Sequence, residues 1–148
     1  MSHRILVFVV LGAIVCLMAP GCGDSTPSRI IGTWTLDLEA TKGLSYYLSM
    51  PEKQREELYK NLGGMTLEVT FTQNTMSKVW SVQVLEGLDK MQQSMNGTYK
   101  VNLAKGNTLV LAVQTSEGMQ RVGVELRGDN QLILDMDESK TVLVRKSP

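Results

Sequence analysis

The sequence predicts a mainly β domain: an eight-stranded antiparallel up-and-down barrel with a short helical pair between its first and second strands. Residues 31–38 alternate apolar and polar side chains, with Trp34, Leu36 and Leu38 on one face. Further alternating runs follow, separated by short turns rich in glycine, asparagine and aspartate. A flat meander of this length would leave two unpaired edges, so we expect the last strand to pair with the first and close the barrel.

The first 21 residues have the three-part pattern of an export signal. A basic start at residues 2–4 precedes an apolar run over residues 5–18 and small residues at 19–21. The 14 residues of the apolar run would span roughly 21 Å as a helix, which is too short for ~30 Å of bilayer hydrocarbon. We therefore expect residues 1–21 to be a signal peptide.

The end of this signal, Ala19-Pro20-Gly21-Cys22, resembles the lipobox of bacterial lipoproteins, in which small residues precede a lipid-bearing cysteine. The resemblance implies that Cys22 begins the mature protein, carries acyl chains and anchors the protein to a membrane of the cell envelope. Gly23 in the next position favours the outer membrane if the host is Gram-negative. The alternative is a free cysteine in an ordinary signal. Residues 22–29 then form a tether, and residues 30–148 form the barrel domain.

The residue inventory after export excludes several kinds of chemistry. Loss of residues 1–21 removes one of 15 basic residues and none of 15 acidic residues, which leaves a formal charge of −1. That balance gives no reason to expect nucleic acid as a partner. The same loss removes His3, the only histidine, and Cys16, while lipid would consume Cys22. Histidine-dependent triads, cysteine–histidine dyads and zinc sites with nitrogen and sulfur ligands are therefore excluded.

Carboxylates remain as candidates for catalysis or metal binding. Asp135, Asp137 and Ser139 are spaced like the first ligands of a calcium loop. Lys140 and Lys146 occupy the sixth and twelfth positions, where that loop needs glycine and glutamate. We therefore expect a solvated turn here, and for the whole domain no catalytic residue, no metal site, no cofactor and no enzymatic activity.

The spacing of apolar residues becomes helical after the first strand. Four residues are predicted to share one face of the first helix: Ala40, Leu44, Tyr47 and Leu48. A second helix is predicted to begin after Ser49, which would cap it together with Glu52. Gly63 and Gly64 are predicted to end it with a left-handed backbone.

Strand alternation returns at residue 65 and continues to the end of the chain. Strand two is predicted to turn four residues inward: Met65, Leu67, Val69 and Phe71. Strand three is predicted to do the same with Met76, Trp80, Val82 and Val84, while Lys78 interrupts its apolar face. Residues 86–95 have helical spacing and predict a short helix or a long loop. Residues 97–99 repeat the glycine and aromatic of residues 32–34, which predicts a strand that starts at Gly97 and turns Tyr99 inward.

Gly32-Thr33-Trp34 resembles the Gly-x-Trp signature in the first strand of lipocalins. Arg145 in the last strand resembles the arginine that packs over that tryptophan, and the helical pair is similar to that of the fatty-acid-binding proteins. The resemblance implies a lipocalin-like barrel in which Trp34 and Arg145 have a structural role, closing one end through a cation–π contact. Alternation alone allows strand eight to turn inward either residues 142 and 144 or residues 143 and 145.

A lipocalin-like shape implies a binding module for a small apolar ligand. In that case we expect the helices over residues 40–62 to form a lid over one mouth. A cavity of about 300 Å³ or more should then lie behind four side chains: Trp34, Leu67, Val69 and Phe71. The alternative is a structural or protein-interaction module of the cell envelope, with a solid core and an exposed apolar patch. The sequence does not identify its protein partner.

Overall fold

The computed structural model describes residues 26–82, 91–136 and 138–147. The predicted signal peptide, Cys22, Val84, Asp137 and the first half of the segment predicted over residues 86–95 lie outside these residues. None of the described helices is both long and apolar enough to cross a membrane.

Eight strands form one closed antiparallel barrel in chain order. The strands are β1 (Gly32–Leu36), β2 (Met65–Phe71), β3 (Thr75–Val82), β4 (Met91–Lys105), β5 (Thr108–Thr115), β6 (Gly118–Arg127), β7 (Gln131–Met136) and β8 (Ser139–Arg145). The helices are α1 (Thr26–Arg29), before β1, and α2 (Leu38–Lys42), α3 (Ser45–Leu48) and α4 (Glu52–Leu62), between β1 and β2. β8 pairs with β1, with Trp34 opposite Arg145 and Leu36 opposite Leu143. The predicted mainly β, eight-stranded up-and-down barrel is confirmed.

The antiparallel register gives the barrel two ends. β1 begins and β8 ends at the closed end, where Trp34, Phe71 and Met76 are buried. β2 begins and β7 ends at the opposite end, which we call the mouth, near Met65 and Met136. Inward side chains from all eight strands form one apolar core between the two ends. The inward residues predicted for strand two form part of this core or border it.

The helices pack on the outside of the barrel. Leu44 and Tyr47 form a second apolar cluster with Ile133 and Val142. Ile133 lies between Leu132 and Leu134 of the barrel core, and Val142 directly precedes Leu143 of that core, so by alternation both face outward. The prediction of a lid over a mouth is therefore wrong. The continuous apolar runs of β7 and β8 explain the difference, because a strand buried on both faces needs a second covering layer.

Thr41 fixes α2 to the strand edge where β1 ends. Its buried hydroxyl accepts a hydrogen bond from the Val142 backbone N–H at 2.9 Å and donates to the Asp37 carbonyl at 2.7 Å. The Asp37 side chain accepts from the Ala40 N–H at 3.0 Å and so caps the helix. The pairing of β1 with β8 ends at Leu36 and Leu143. Beyond that point the backbone N–H of Val142 is hydrogen-bonded by the Thr41 side chain of α2.

Several predicted details of the helices are wrong. The first predicted helix is two short helices, α2 and α3, and Leu48 at its end is 54% exposed. Ser49 does not cap α4, which follows Pro51 without a side-chain cap; the Ser49 hydroxyl donates instead to the Tyr46 carbonyl at 2.9 Å. Gly63 ends α4 with an ordinary right-handed φ of −61°. The predicted left-handed ending at Gly63 is therefore wrong.

β4 is longer than the sequence predicts. Residues 91–95, predicted as a helix or loop, pair with β3 as its first part. Gly97 is therefore inside β4 and does not begin it. A Cβ there would lie 2.6 Å from the Gln114 carbonyl oxygen and 2.9 Å from Val113 Cγ1, so this glycine permits close approach of β5. Tyr99 does turn inward, as predicted, and is buried.

Candidate functional site

The closed end is built around a cation–π pair. The Arg145 guanidinium carbon lies 4.2 Å from the centroid of the Trp34 ring. Trp34 is fully buried, and its indole N–H donates to the Ile30 carbonyl at 2.7 Å. Leu143 lies in the barrel core and Val142 in the outer cluster, so β8 turns residues 143 and 145 inward.

Arg145 also holds the segment that leads into β1. Its Nη2 donates to the Arg29 carbonyl at 2.6 Å, and its Nη1 donates to the Ile31 carbonyl at 2.8 Å. Its Nε donates to the Asp129 carbonyl at 3.1 Å, in the turn between β6 and β7. Gly32 has a φ of 134°, and a Cβ there would lie 2.7 Å from Nη1, so a side chain would displace the guanidinium. These donors are all directed at backbone oxygens.

Arg29 also covers the closed end, where it bonds to two turns of the barrel. This residue belongs to the predicted tether, yet Nη2 donates to the Gly128 carbonyl at 3.0 Å and Nη1 donates to Asn107 Oδ1 at 3.3 Å. An ion pair of 3.3 Å joins it to Asp129. The N-terminal segment therefore crosses the closed end and connects two turns of the barrel.

The mouth contains an inner chamber of about 200 Å³. Its walls come from β2, β3, β7 and β8, and include Met65, Leu67, Lys78, Trp80, Leu134 and Met136. Of the four side chains predicted to line a cavity, only Leu67 does so; the other three are in the packed core. The chamber is also smaller than the usual minimum of about 300 Å³ for a drug-sized ligand.

A wider outer chamber of about 810 Å³ adjoins the inner one. Its lining is more polar and includes Gln93, Met95, Thr115 and Gln120 from β4, β5 and β6. Lys78 and Trp80 line both chambers, so they lie at the boundary between them. An apolar interior followed by a polar rim is the arrangement expected of a site for an amphipathic molecule.

Two polar side chains of the mouth were not predicted as site residues. Lys78 places its Nζ 4.9 Å from the centroid of the Trp80 ring and 3.7 Å from Met136 Sδ. Gln120 has a buried Oε1 atom that accepts no hydrogen bond from any part of the protein that the structure describes. In both strands the alternation of side chains turns these positions inward. A polar residue at an inward position was therefore the sequence feature that could have identified them.

The acidic residues that the structure describes do not form a comparable site. Asp135 is paired with Lys140 at 3.5 Å, and both side chains are about half exposed. Within residues 26–82, 91–136 and 138–147, no three carboxylate, imidazole or thiol groups are placed to hold a metal ion. Among the described residues, the side chains with a clearly shifted pKa are two tyrosines outside the mouth. Burial raises the pKa of Tyr47 and that of Tyr99, and each hydroxyl donates to a backbone carbonyl.

These features define the class of the domain: a closed eight-stranded up-and-down barrel with one sealed end and one open mouth. No protein-family model matches the sequence, and no curated protein matches it. Among solved structures, a Schistosoma mansoni fatty acid binding protein in complex with arachidonic acid is similar, with 14% sequence identity and a TM-score of 0.35. The match covers 82% of this chain and 99% of that chain.

Proposed function

We propose that this chain is a lipid-anchored lipoprotein of the cell envelope whose barrel binds a small, largely apolar ligand at its mouth. The observation that carries the proposal is the two-chambered mouth, in which an apolar inner chamber opens into a polar outer one. The packed closed end sets a floor to the site, so a ligand enters from the mouth. Binding is proposed rather than catalysis because export leaves neither histidine nor a free thiol.

The inner chamber sets the size of the apolar part of the ligand. Its walls combine branched side chains with two methionines, Met65 and Met136, whose flexible thioethers adapt to different shapes. A volume of about 200 Å³ is suited to a short chain or a single ring. The remainder of the ligand would extend past Lys78 and Trp80 into the outer chamber.

The proposed anchor determines the orientation of the barrel relative to the membrane. Lipid on Cys22 would lie only a few residues before α1, which is attached to the closed end through Arg29. The closed end would then face the membrane, and the mouth would face away from it. Under this proposal the ligand comes from the aqueous compartment next to the membrane.

The ligand proposal is tested by native mass spectrometry of residues 23–148, exported in the protein's own host behind a cleavable signal without a lipid-bearing cysteine. All described strands, pairings and helices lie within this fragment, so it keeps the contacts that form the barrel. We expect a bound small molecule, and we expect Ser139→Trp, which fills the inner chamber, to abolish it. Ser77→Trp on the outer face of β3 is the matched control. A clean apo mass for the unaltered fragment would contradict the proposal.

The anchor is tested separately. Cys22→Ser should move the protein from the membrane fraction to the soluble fraction, because about 0.8 kcal/mol per buried methylene is lost with the acyl chains. Mass spectrometry of the membrane-extracted protein should show an acylated N-terminal Cys22. An unmodified N-terminus at any residue would contradict the anchor while leaving the ligand proposal intact.

The second candidate is an envelope interaction module, and one observation favours it. Met119 and Leu103 are 71% and 52% exposed on the outer wall. Met119 also lines a shallow depression of about 340 Å³ with Val110 and Ala112. Exposed apolar surface of this kind is typical of binding surfaces for proteins. A photo-crosslinking residue at position 119 that captures one envelope protein, together with an apo mouth, would favour this alternative.

A further inference from the structure

The second half of β4 is open to solvent on three sides. β3 pairs with residues 91–98 of this strand and β5 with residues 97–105. Among the described strands, none therefore pairs with residues 100–105 on the side of β3. Both faces of this segment are open as well, since every residue after the buried Tyr99 is exposed. The segment, which we call the β4 edge, is held in the sheet by β5 alone.

The backbone of the β4 edge has room for a further strand. Contact on the side of β3 ends at Tyr99, whose N–H donates to the Asn74 carbonyl at 2.8 Å. Beyond it, alternate residues direct their backbone N–H and C=O groups away from β5, where no described strand meets them. At ~3.3 Å per residue the β4 edge is about 20 Å long. The helix α1 approaches β4 but leaves these residues exposed. Strand edges of this kind bind extended peptides by adding a strand.

A β-bulge determines which side chains the β4 edge presents on the outer wall. Lys100 and Leu103 are three residues apart and would face opposite sides of a regular strand. Asn102 is an extra residue relative to β5 and brings both side chains to the same face. Lys105 shares that face, because the β5 partners of all three residues alternate with core residues. The outer face of the β4 edge thus presents a cation, an exposed leucine and a second cation in one row.

The charge of this row favours one kind of partner strand. Neither Lys100 nor Lys105 forms an ion pair with a residue that the structure describes. A second copy of the chain would bring two more lysines to the same pair of strands, and like charges on neighbouring strands are unfavourable. A strand with acidic side chains beside the two lysines and an apolar side chain beside Leu103 complements the row in both charge and polarity.

We propose that the β4 edge binds an extended acidic segment of another protein, which pairs as a further strand beside residues 100–105. The backbone of that segment pairs with the groups that β4 directs away from β5. Its two carboxylates lie beside Lys100 and Lys105, and the apolar side chain between them covers Leu103. The β4 edge lies outside the mouth, so this inference does not depend on a ligand there.

The test uses four matched peptides with blocked termini and residues 23–148. The acidic peptide is Thr-Asp-Val-Leu-Val-Glu-Thr. The amide peptide carries Asn and Gln in place of its two acids, the basic peptide carries Lys at both positions, and the fourth is the acidic peptide with every backbone N–H methylated. In an NMR titration at low salt, we expect the acidic peptide to bind about tenfold more tightly than the amide peptide. The basic and methylated peptides should not bind. Bound acidic peptide should slow hydrogen exchange within residues 100–105.

Side-chain variants assign each contact of the row. Lys100→Met and Lys105→Met should each reduce the affinity for the acidic peptide about threefold, and together they should reduce it to that for the amide peptide. Leu103→Ser should weaken the binding of both peptides. Lys53→Met, at an exposed position of α4, is the matched control. If a variant does not fold, the four peptides compared on the unaltered protein still decide whether charge and backbone pairing are required.

The outcomes also distinguish other occupants of the β4 edge. Equal binding of the acidic, amide and basic peptides, binding that survives methylation, or no binding at about 1 mM peptide would overturn the inference. Dimerisation through residues 100–105 would identify a second copy instead, and binding to anionic vesicles that Lys100→Met abolishes would identify a membrane surface; either would overturn it. Binding that ranks by charge, needs backbone N–H groups and protects residues 100–105 would support it. The ligand proposal for the mouth is tested separately by the native mass spectrum.

Discussion

The two ends of the barrel each place a cation against a tryptophan, but the surroundings of the two pairs differ. At the closed end, Arg145 lies 4.2 Å from a fully buried Trp34 and donates to three backbone carbonyls. At the mouth, Lys78 lies 4.9 Å from a partly exposed Trp80 and borders two chambers. A cation–π pair therefore does not by itself define a role. The groups around it decide whether it holds the chain together or borders an open chamber.

The largest expected difference between the two ends is in stability. Trp34→Ala should lower the free energy of unfolding by roughly 3 to 5 kcal/mol, because it truncates a fully buried aromatic side chain. Trp80→Ala should cost about 1 to 2 kcal/mol, since that ring is partly exposed and borders a cavity. Urea unfolding followed by circular dichroism measures both. Equal losses would show that the mouth is as tightly packed as the closed end.

Two glycines with positive φ also have different surroundings at the two ends. Gly32 at the closed end has φ 134°, and an added Cβ would be 2.7 Å from Arg145 Nη1. Gly118 in the turn at the mouth has φ 128° and nothing within 4 Å of an added Cβ. Alanine at Gly118 should cost only the backbone strain of about 1 to 2 kcal/mol, and alanine at Gly32 about 2 to 4 kcal/mol. A Gly32→Ala variant as stable as Gly118→Ala would mean that the Arg145 position is easily changed.

The pairwise coupling of each cation with its tryptophan should also differ. A double-mutant cycle of Trp34→Phe with Arg145→Met should give about 1 to 2 kcal/mol, whereas Trp80→Phe with Lys78→Met should give about 0.5 to 1 kcal/mol. The solvent near the mouth screens the second pair. Thermal or urea unfolding of the four single and two double variants supplies these values. Absence of coupling between Trp34 and Arg145 would contradict the structural role assigned to their contact.

The smallest expected effect concerns pH and compares the closed end with the outer helices. Burial raises the pKa of Tyr99 at the closed end and of Tyr47 in α3 above the usual 10.0. A raised folded-state pKa keeps each phenol protonated, so this contribution to stability is present below pH 10.0 and is lost as pH rises through the folded-state pKa. Tyr47→Phe and Tyr99→Phe should each reduce the loss of stability on going to more alkaline pH. Unfolding curves recorded from neutral to alkaline pH measure this, and unchanged slopes would contradict it.

Alternation predicted the barrel well because each strand buries one face. Met65, Leu67, Val69 and Phe71 follow the period of two closely, and short turns fix their neighbours. The rule is weaker for β7 and β8, where apolar residues occupy both faces. There the sequence permitted two registers for Arg145, and only the packing of Ile133 and Val142 under the helices distinguishes them.

The mouth was harder to predict than the core. Lys78 breaks an apolar pattern, and Gln120 follows a turn, so each looks like a solvent-facing residue in the sequence. Whether an inward position is packed or borders a chamber depends on strands far apart in the chain, since Lys78 contacts Met136 across the barrel. Helix packing was mispredicted for a related reason, because helical spacing shows that a face is apolar but does not identify its partner.

We propose that ligand binds at the mouth while the closed end stays packed. The native methionines report on this in a ¹³C-methyl NMR titration with octanoate, an amphiphile with a short apolar chain. Met65 and Met136 line the inner chamber, Met76 is buried near the closed end, and Met119 lies on the outer wall. We predict shifts of the Met65 and Met136 methyl signals with Met76 and Met119 unchanged. Shifts confined to Met119, or of Met76 without Met136, would contradict the claim.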